Sequence, residues 1–190
     1  FRRVLFRSQI SSNIESVAPQ FFYLNITVAP YSNLDFWVGE ESDLLVDGGI
    51  RTSVAVNITN NASLQDVVTF DLGANANWQW GWVMTTVENG SAKITMDPGT
   101  LHYVYFWIDI PMVKDAMPLS GTGPKFTLTA TSSLDYETTT WDLNLKMSTF
   151  RNVSIDRSDE DILLAPGQDG RLKIDVRNNG NIANKMNITL

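Results

Sequence analysis

DLLVDGGIRTSVAVNITNNASLQDVVTFDL (residues 43–72) lies without a gap on DILLAPGQDGRLKIDVRNNGNIANKMNITL (residues 161–190), 118 positions later. Six of the thirty pairs are identical, where chance gives about two. They are Asp43/Asp161, Leu45/Leu163, Gly49/Gly167, Asn60/Asn178, Asn61/Asn179 and Leu72/Leu190. Eight more pairs exchange one apolar residue for another, among them Val54/Leu172, Val56/Ile174 and Ile58/Val176. A chain that repeats itself in this way is expected to belong to a tandem array, whose modules serve reach, spacing or multivalent contact.

Within the repeated stretch the apolar residues recur at every second position. Val54, Val56 and Ile58 alternate with Ser53, Ala55, Asn57 and Thr59, and Val68, Phe70 and Leu72 alternate with Val67, Thr69 and Asp71. This period belongs to strands with one face in a core and one in water. Outward from it the same pattern holds for Ala92, Ile94 and Met96, for Val104, Phe106 and Ile108, for Phe126, Leu128 and Ala130, and for Trp141, Leu143, Leu145 and Met147. Asp47-Gly48-Gly49, Asn60-Asn61, Asn89-Gly90, Asp97-Pro98-Gly99 and the Gly121 to Gly123 loop separate the runs. No helical stripe of ten residues interrupts them. Seven or eight such strands in one domain predict an all-β, antiparallel β-sandwich.

The repetition also sets the expected domain bounds. FYLNITVAPYSNLDF (residues 22–36) matches WDLNLKMSTFRNVSI (residues 141–155) at a shift of 119. Residues 1–31 therefore read as the tail of a preceding repeat, 32–149 as one complete module, and 150–190 as the truncated start of the next. The first eight residues, FRRVLFRS, resemble translated adapter read-through, and their basic charge is set aside. From Lys146 to Ile155 there is no Pro, Gly or Ser-rich spacer, so the joint between modules is expected to be stiff.

The 190 residues carry a net charge of -7 and no Cys. An acidic surface argues against nucleic acid and anionic lipid as partners, since both need a basic face. Absence of Cys removes thiolate catalysis and Cys-ligated zinc, without fixing the compartment. No run of 18 apolar residues is present, so no membrane span is expected within the chain.

Beyond composition, DPGTLHYVYFWIDIP (residues 97–111), a Gly loop and KFTLTATSS (residues 125–133) together resemble Ig-like domains of the CARDB and NPCBM-associated (alpha-galactosidase-associated) type. APGQDGRLKIDVRNNG (residues 165–180) resembles the opening of such domains, with Pro-Gly before the strand and Asn-Asn-Gly after it. The first copy departs from that pattern at Asp47-Gly48-Gly49 and Asn60-Asn61-Ala62. The resemblance implies an Ig-like fold in tandem and an extracellular or cell-surface setting, in a prokaryote.

Candidate chemistry is sparse. His102 is the one histidine, and neither a nucleophile elbow nor an HExxH pattern accompanies it; no enzyme activity is expected. Trp78, Trp80 and Trp82 share one face of an extended chain, and Tyr103, Tyr105 and Trp107 lie opposite Val104, Phe106 and Ile108. Trp80, Tyr103, Tyr105 and Trp107 are therefore the candidate carbohydrate-binding residues, since aromatic faces stack on sugar rings. Glu41, Asp43, Asp159 and Asp161 recur near the module starts and could bind Ca²⁺ at the junctions, although no DxDxDG loop is present. Six N-x-S/T sequons stand at Asn25, Asn57, Asn61, Asn89, Asn152 and Asn187, where about three would arise by chance. Asn25, Asn57, Asn152 and Asn187 fall on polar strand positions, and Asn61 and Asn89 in turns.

The expected role is a spacer, structural or adhesive segment of a secreted or surface protein. Its expected partners are the neighbouring repeats of its own chain, with a polysaccharide or another surface protein beyond them. The alternative is a carbohydrate-binding accessory module of a surface hydrolase.

Overall fold

The computed structural model describes residues 2–10, 18–37, 43–83, 86–112, 117–157, 164–171, 173–187 and 189. Its strands are β1 (Arg2–Ile10), β2 (Gln20–Val28), β3 (Leu34–Trp37), β4 (Asp43–Val46), β5 (Arg51–Asn60), β6 (Asp66–Ala74), β7 (Trp80–Trp82), β8 (Val87–Glu88), β9 (Ser91–Met96), β10 (Leu101–Asp109), β11 (Lys125–Thr131), β12 (Thr138–Met147), β13 (Val153–Arg157) and β14 (Ile174–Asn178). No helix occurs among them.

Two sheets make the body: a four-stranded one in the order β3-β5-β10-β7 and a six-stranded one in the order β4-β12-β11-β6-β9-β8. Every described pairing is antiparallel except β4 with β12, which run parallel from Asp43↔Asn144 to Met147↔Val46. The first part of the unit is thus divided, β3 joining one sheet and β4 the other. The result is an antiparallel Ig-like β-sandwich. It has more strands than the seven or eight expected, because short edge pieces such as β7 and β8 carry too few residues to show a period.

The core follows the alternation. Val54, Val56, Ile58, Val104, Phe106 and Ile108 of the first sheet meet Val68, Phe70, Leu72, Phe126, Leu128, Leu143, Leu145 and Met147 of the second, all buried. β-branched and aromatic side chains suit this pleated, half-buried surface. Asn89 and Gly90 both take positive φ, 52° and 88°, which lets a two-residue turn join β8 to β9 in the twist the strands require. Gly123 is needed for a different reason. A Cβ there would lie 2.1 Å from the Leu145 carbonyl oxygen, so only glycine lets the loop run beside β12 and exchange Leu145 N–H to Pro124 O and Met147 N–H to Thr122 O.

Two buried polar residues pin one end of the sandwich, where β5 passes into β6. Asn60, fully buried, donates from Nδ2 to the carbonyls of Leu64 (2.9 Å) and Met96 (3.1 Å) and accepts from Ala62 N–H (3.0 Å). Asp66 accepts from the hydroxyls of Ser132 and Ser133 and from Ser133 N–H. Both are satisfied, as buried polar groups must be.

The Asn60 arrangement recurs at Asn178. There Nδ2 donates to Ile182 O (2.8 Å) and Oδ1 accepts from Gly180 N–H (3.1 Å). Asn179 N–H bonds to Asn152 O (2.8 Å) as Asn61 N–H bonds to Asn33 O (2.7 Å). Pairing of β13 with β14 aligns Val153 with Asn178, as β3 with β5 aligns Leu34 with Asn60. Before the sandwich, β1 pairs with β2 along its whole length, from Arg2↔Val28 to Ile10↔Gln20. Residues 2–8 of the FRRVLFRS stretch thus lie in a paired strand.

Candidate functional site

The outward face of the four-stranded sheet carries a group of exposed aromatics. Directly opposed residues in adjacent strands share a face, and three rows cross it: Trp37, Asn57 and Tyr103; Ala55 and Tyr105; Ser53, Trp107 and Gly81. Trp37 is 67% exposed, Tyr103 48% and Tyr105 42%. The rings of Tyr103 and Tyr105 lie 6.0 Å apart and 20° from parallel.

This placement corrects the aromatic row expected from sequence. Trp80 is opposed to Ile108, and Trp82 to Phe106, so both point to the core side. There Trp82 sits edge-on to Trp80 (5.7 Å) and to Phe106 (6.2 Å) and donates from Nε1 to Gly90 O. Trp107 is on the outward face, but the Arg51 guanidinium lies 3.7 Å from its ring centroid and is itself held bidentately by Asp109. Its ring also lies against Gly81, where a Cβ would come within 2.7 Å of it. Trp107 therefore has less ring surface to offer than a free indole. Of the four named rings only Tyr103 and Tyr105 stand open side by side. Trp37 joins them instead. The signal for it was available, since inward Leu34 and Phe36 put Trp37 on the outer side.

His102 is half-buried at the start of β10, with Nε2 3.1 Å from the Thr100 hydroxyl. Among the described residues no three His, Asp or Glu side chains stand together as a metal cluster. Of the calcium candidates, Glu41, Asp159 and Asp161 lie outside the described residues. Asp43 is at the start of β4, where its carboxylate pairs with the Lys146 ammonium. A shallow groove of about 320 Å³ runs beside Ser32, Asn33, Leu34 and Glu137 to Thr139.

The sequons divide by surroundings. Asn25 is in β2 and Asn57 in β5; Asn61 and Asn89 follow strands in turns, as expected. Asn152 and Asn187 stand outside strands, contrary to expectation, Asn152 immediately before β13.

A second constellation was not visible in the sequence. Asn181, 4% exposed, lies beyond β14 and reaches back to the end of the preceding unit. Its Nδ2 donates to Ser148 O (2.8 Å), its Oδ1 accepts from Phe150 N–H (2.8 Å), its N–H donates to Phe150 O (3.0 Å), and its carbonyl accepts from Ser120 N–H (2.9 Å). Close packing supports the contact, because a Cβ on Gly180 would lie 2.5 Å from Phe150 O. The residue 118 positions earlier is Ser63, so the repeat held no hint of it.

The surface is laced with ion pairs. Lys146, Lys93, Arg51 and Lys125, each by hydrogen bonding, hold the carboxyls of Asp43, Glu88, Asp109 and Asp142 below their usual range. Ser32 N–H does the same for Asp135. A carboxyl titrating lower in the folded chain stabilises it above the unfolded value of about 4, and that contribution is lost as pH falls through the lowered folded values. The urea midpoint is expected to stay level from about pH 8 to 5 and to drop below about pH 4. A decline already complete at pH 5 would contradict the assignment.

No family model matches the chain, and no curated protein does. Among solved structures it is similar to the secreted serine protease VesC from Vibrio cholerae, at 13% identity and a TM-score of 0.40, covering 66% of this chain and 24% of the protease. It is similar to a PapD-like domain of human CEP192, at 11% identity and a TM-score of 0.37, covering 73% of this chain and 96% of that domain. It is also similar to Salmonella alpha-2-macroglobulin, at 13% identity and a TM-score of 0.38, covering 79% of this chain and 9% of that one. Likeness at this distance says nothing about activity or partners. Among the described residues no helix is long and apolar enough to cross a membrane.

Proposed function

We propose that the chain is a segment of a tandem array of Ig-like β-sandwiches of the CARDB or NPCBM-associated kind, serving as a spacer in a secreted or cell-surface protein. The reading assigns it no catalytic step. What carries it is the Asn181 joint: this one buried residue, itself bonded twice to Phe150 of its own unit, donates to Ser148 O and accepts from Ser120 N–H of the unit before it. A flexible linker needs no such residue, whereas a rod needs its successive units held at one angle. The recurrence of the Asn60 bonds at Asn178, with the same strand register, adds support for a repeated unit.

Since the chain has no Cys, spin labels can be placed at Thr140→Cys and Arg177→Cys, both exposed positions on either side of the joint. A single narrow distance distribution is expected. Asn181→Ala should broaden it while leaving the melting of the preceding unit nearly unchanged, because the lost bonds lie at the joint and not in the core. A wild-type distribution as broad as that of a flexible linker would sink the spacer reading.

A further inference from the structure

We infer that Asn57 is an N-glycan attachment site whose first sugar lies on the rings of Trp37 and Tyr103, so that the exposed aromatic face is covered by the chain's own modification. This rests on the secreted reading above. Asn57 is the central residue of the row Trp37, Asn57, Tyr103. Opposed side chains in neighbouring strands start about 5 Å apart, so a sugar leaving the Asn57 carboxamide passes between an indole and a phenol. Both rings are exposed, and the carboxamide makes no hydrogen bond among the described residues. Thr59, which completes the sequon, faces the same side. By contrast, Asn61 and Asn89 project from turns, and Asn152 lies outside the strands.

The chemistry needs a lipid-linked oligosaccharide bearing a phosphate or pyrophosphate at C1 of its first N-acetylhexosamine. The Asn57 amide nitrogen forms the new bond to C1, and the C1–O bond to phosphate breaks. The lipid phosphate or pyrophosphate leaves with the bonding electrons, and one amide proton passes to base. Because Asn57 is half-buried in the paired strand, transfer precedes the pairing of β5 with β3 and β10. Afterwards the axial C–H bonds of the sugar meet the electron-rich ring faces, the contact by which aromatics pack on saturated rings.

The test has two arms. Peptide mapping of the full chain from the cells that make it should find Asn57 occupied. If Asn57 is empty this inference fails, whether or not another sequon is filled; the spacer reading fails only if the spin-label distances are broad. In the second arm the chain is secreted from N-glycosylating cells and trimmed to one N-acetylglucosamine per site. Its Tm should exceed that of Asn57→Gln by about 3 °C, with no such difference for Asn61→Gln. Trp37→Ala should abolish the Asn57-dependent difference. If the difference survives Trp37→Ala, the sugar does not stack there. If the unmodified chain is instead retarded in polysaccharide gels through Trp37 and Tyr103, the face serves a free sugar and the inference is overturned.

Discussion

Val56→Asp is expected to lower the unfolding free energy by about 4 kcal/mol or more, whereas Ala55→Asp, one residue away, should cost under about 1. Val56 is buried opposite Val104, inside the core shared by both sheets. A carboxylate there has no cation or donor within the apolar cluster, and leaving a charge unpaired in such a place is among the most costly single changes. Ala55 is on the outward face opposite Tyr105 and stays in water. With a total stability on the order of 5–15 kcal/mol, the first variant loses most of its margin. Urea melts of the two variants test the register itself, since a slip of one residue would exchange their effects.

Asn60→Asp is expected to cost about 3–5 kcal/mol. The exchange replaces the two Nδ2 donations to Leu64 O and Met96 O by a carboxylate oxygen facing two carbonyls, at a fully buried position. The sign of its pH dependence is distinctive. Burial among acceptors favours the protonated acid in the folded chain, so the variant should recover part of its loss as pH falls toward 4, where the parent begins to weaken. Asn178→Asp is the control. Asn178 makes the matching bonds to Ile182 and Gly180 but is only half-buried, and its cost should be far smaller. Equal effects at the two asparagines, or a loss at Asn60 that deepens in acid, would contradict this account.

How far these features could be read in advance depends on how local their cause is. Strand alternation is local, and Val54 to Ile58 and Val104 to Ile108 took the faces their period implies. Asn60 stood out because its partner Asn178 repeats it. The face of Trp80 was not legible, since a three-residue strand takes its side from the neighbour it pairs with, here β10, more than twenty positions on. Arg51 over Trp107 is likewise a long-range contact between β5 and β10. Asn181 and Asp66 are polar residues in or beside turns, where sequence reads them as solvated; only the fold reveals that each is enclosed. The exposed trio Trp37, Tyr103 and Tyr105 was two-thirds visible, and Trp37 was missed although Leu34 and Phe36 beside it alternate with it.

The parallel pairing of β4 with β12 has a mechanical consequence. Tension applied along the chain draws β4 toward its amino end and β12 toward its carboxyl end. Because the strands run in the same direction, these pulls are opposed along a common axis. The hydrogen bonds from Asp43↔Asn144 to Met147↔Val46 are then loaded sideways and all at once, rather than opened one after another from an end. Failure must break them together with the Asp43–Lys146 ion pair that lies across the same seam. This seam is thus arranged to resist stretch and to yield abruptly rather than to peel open.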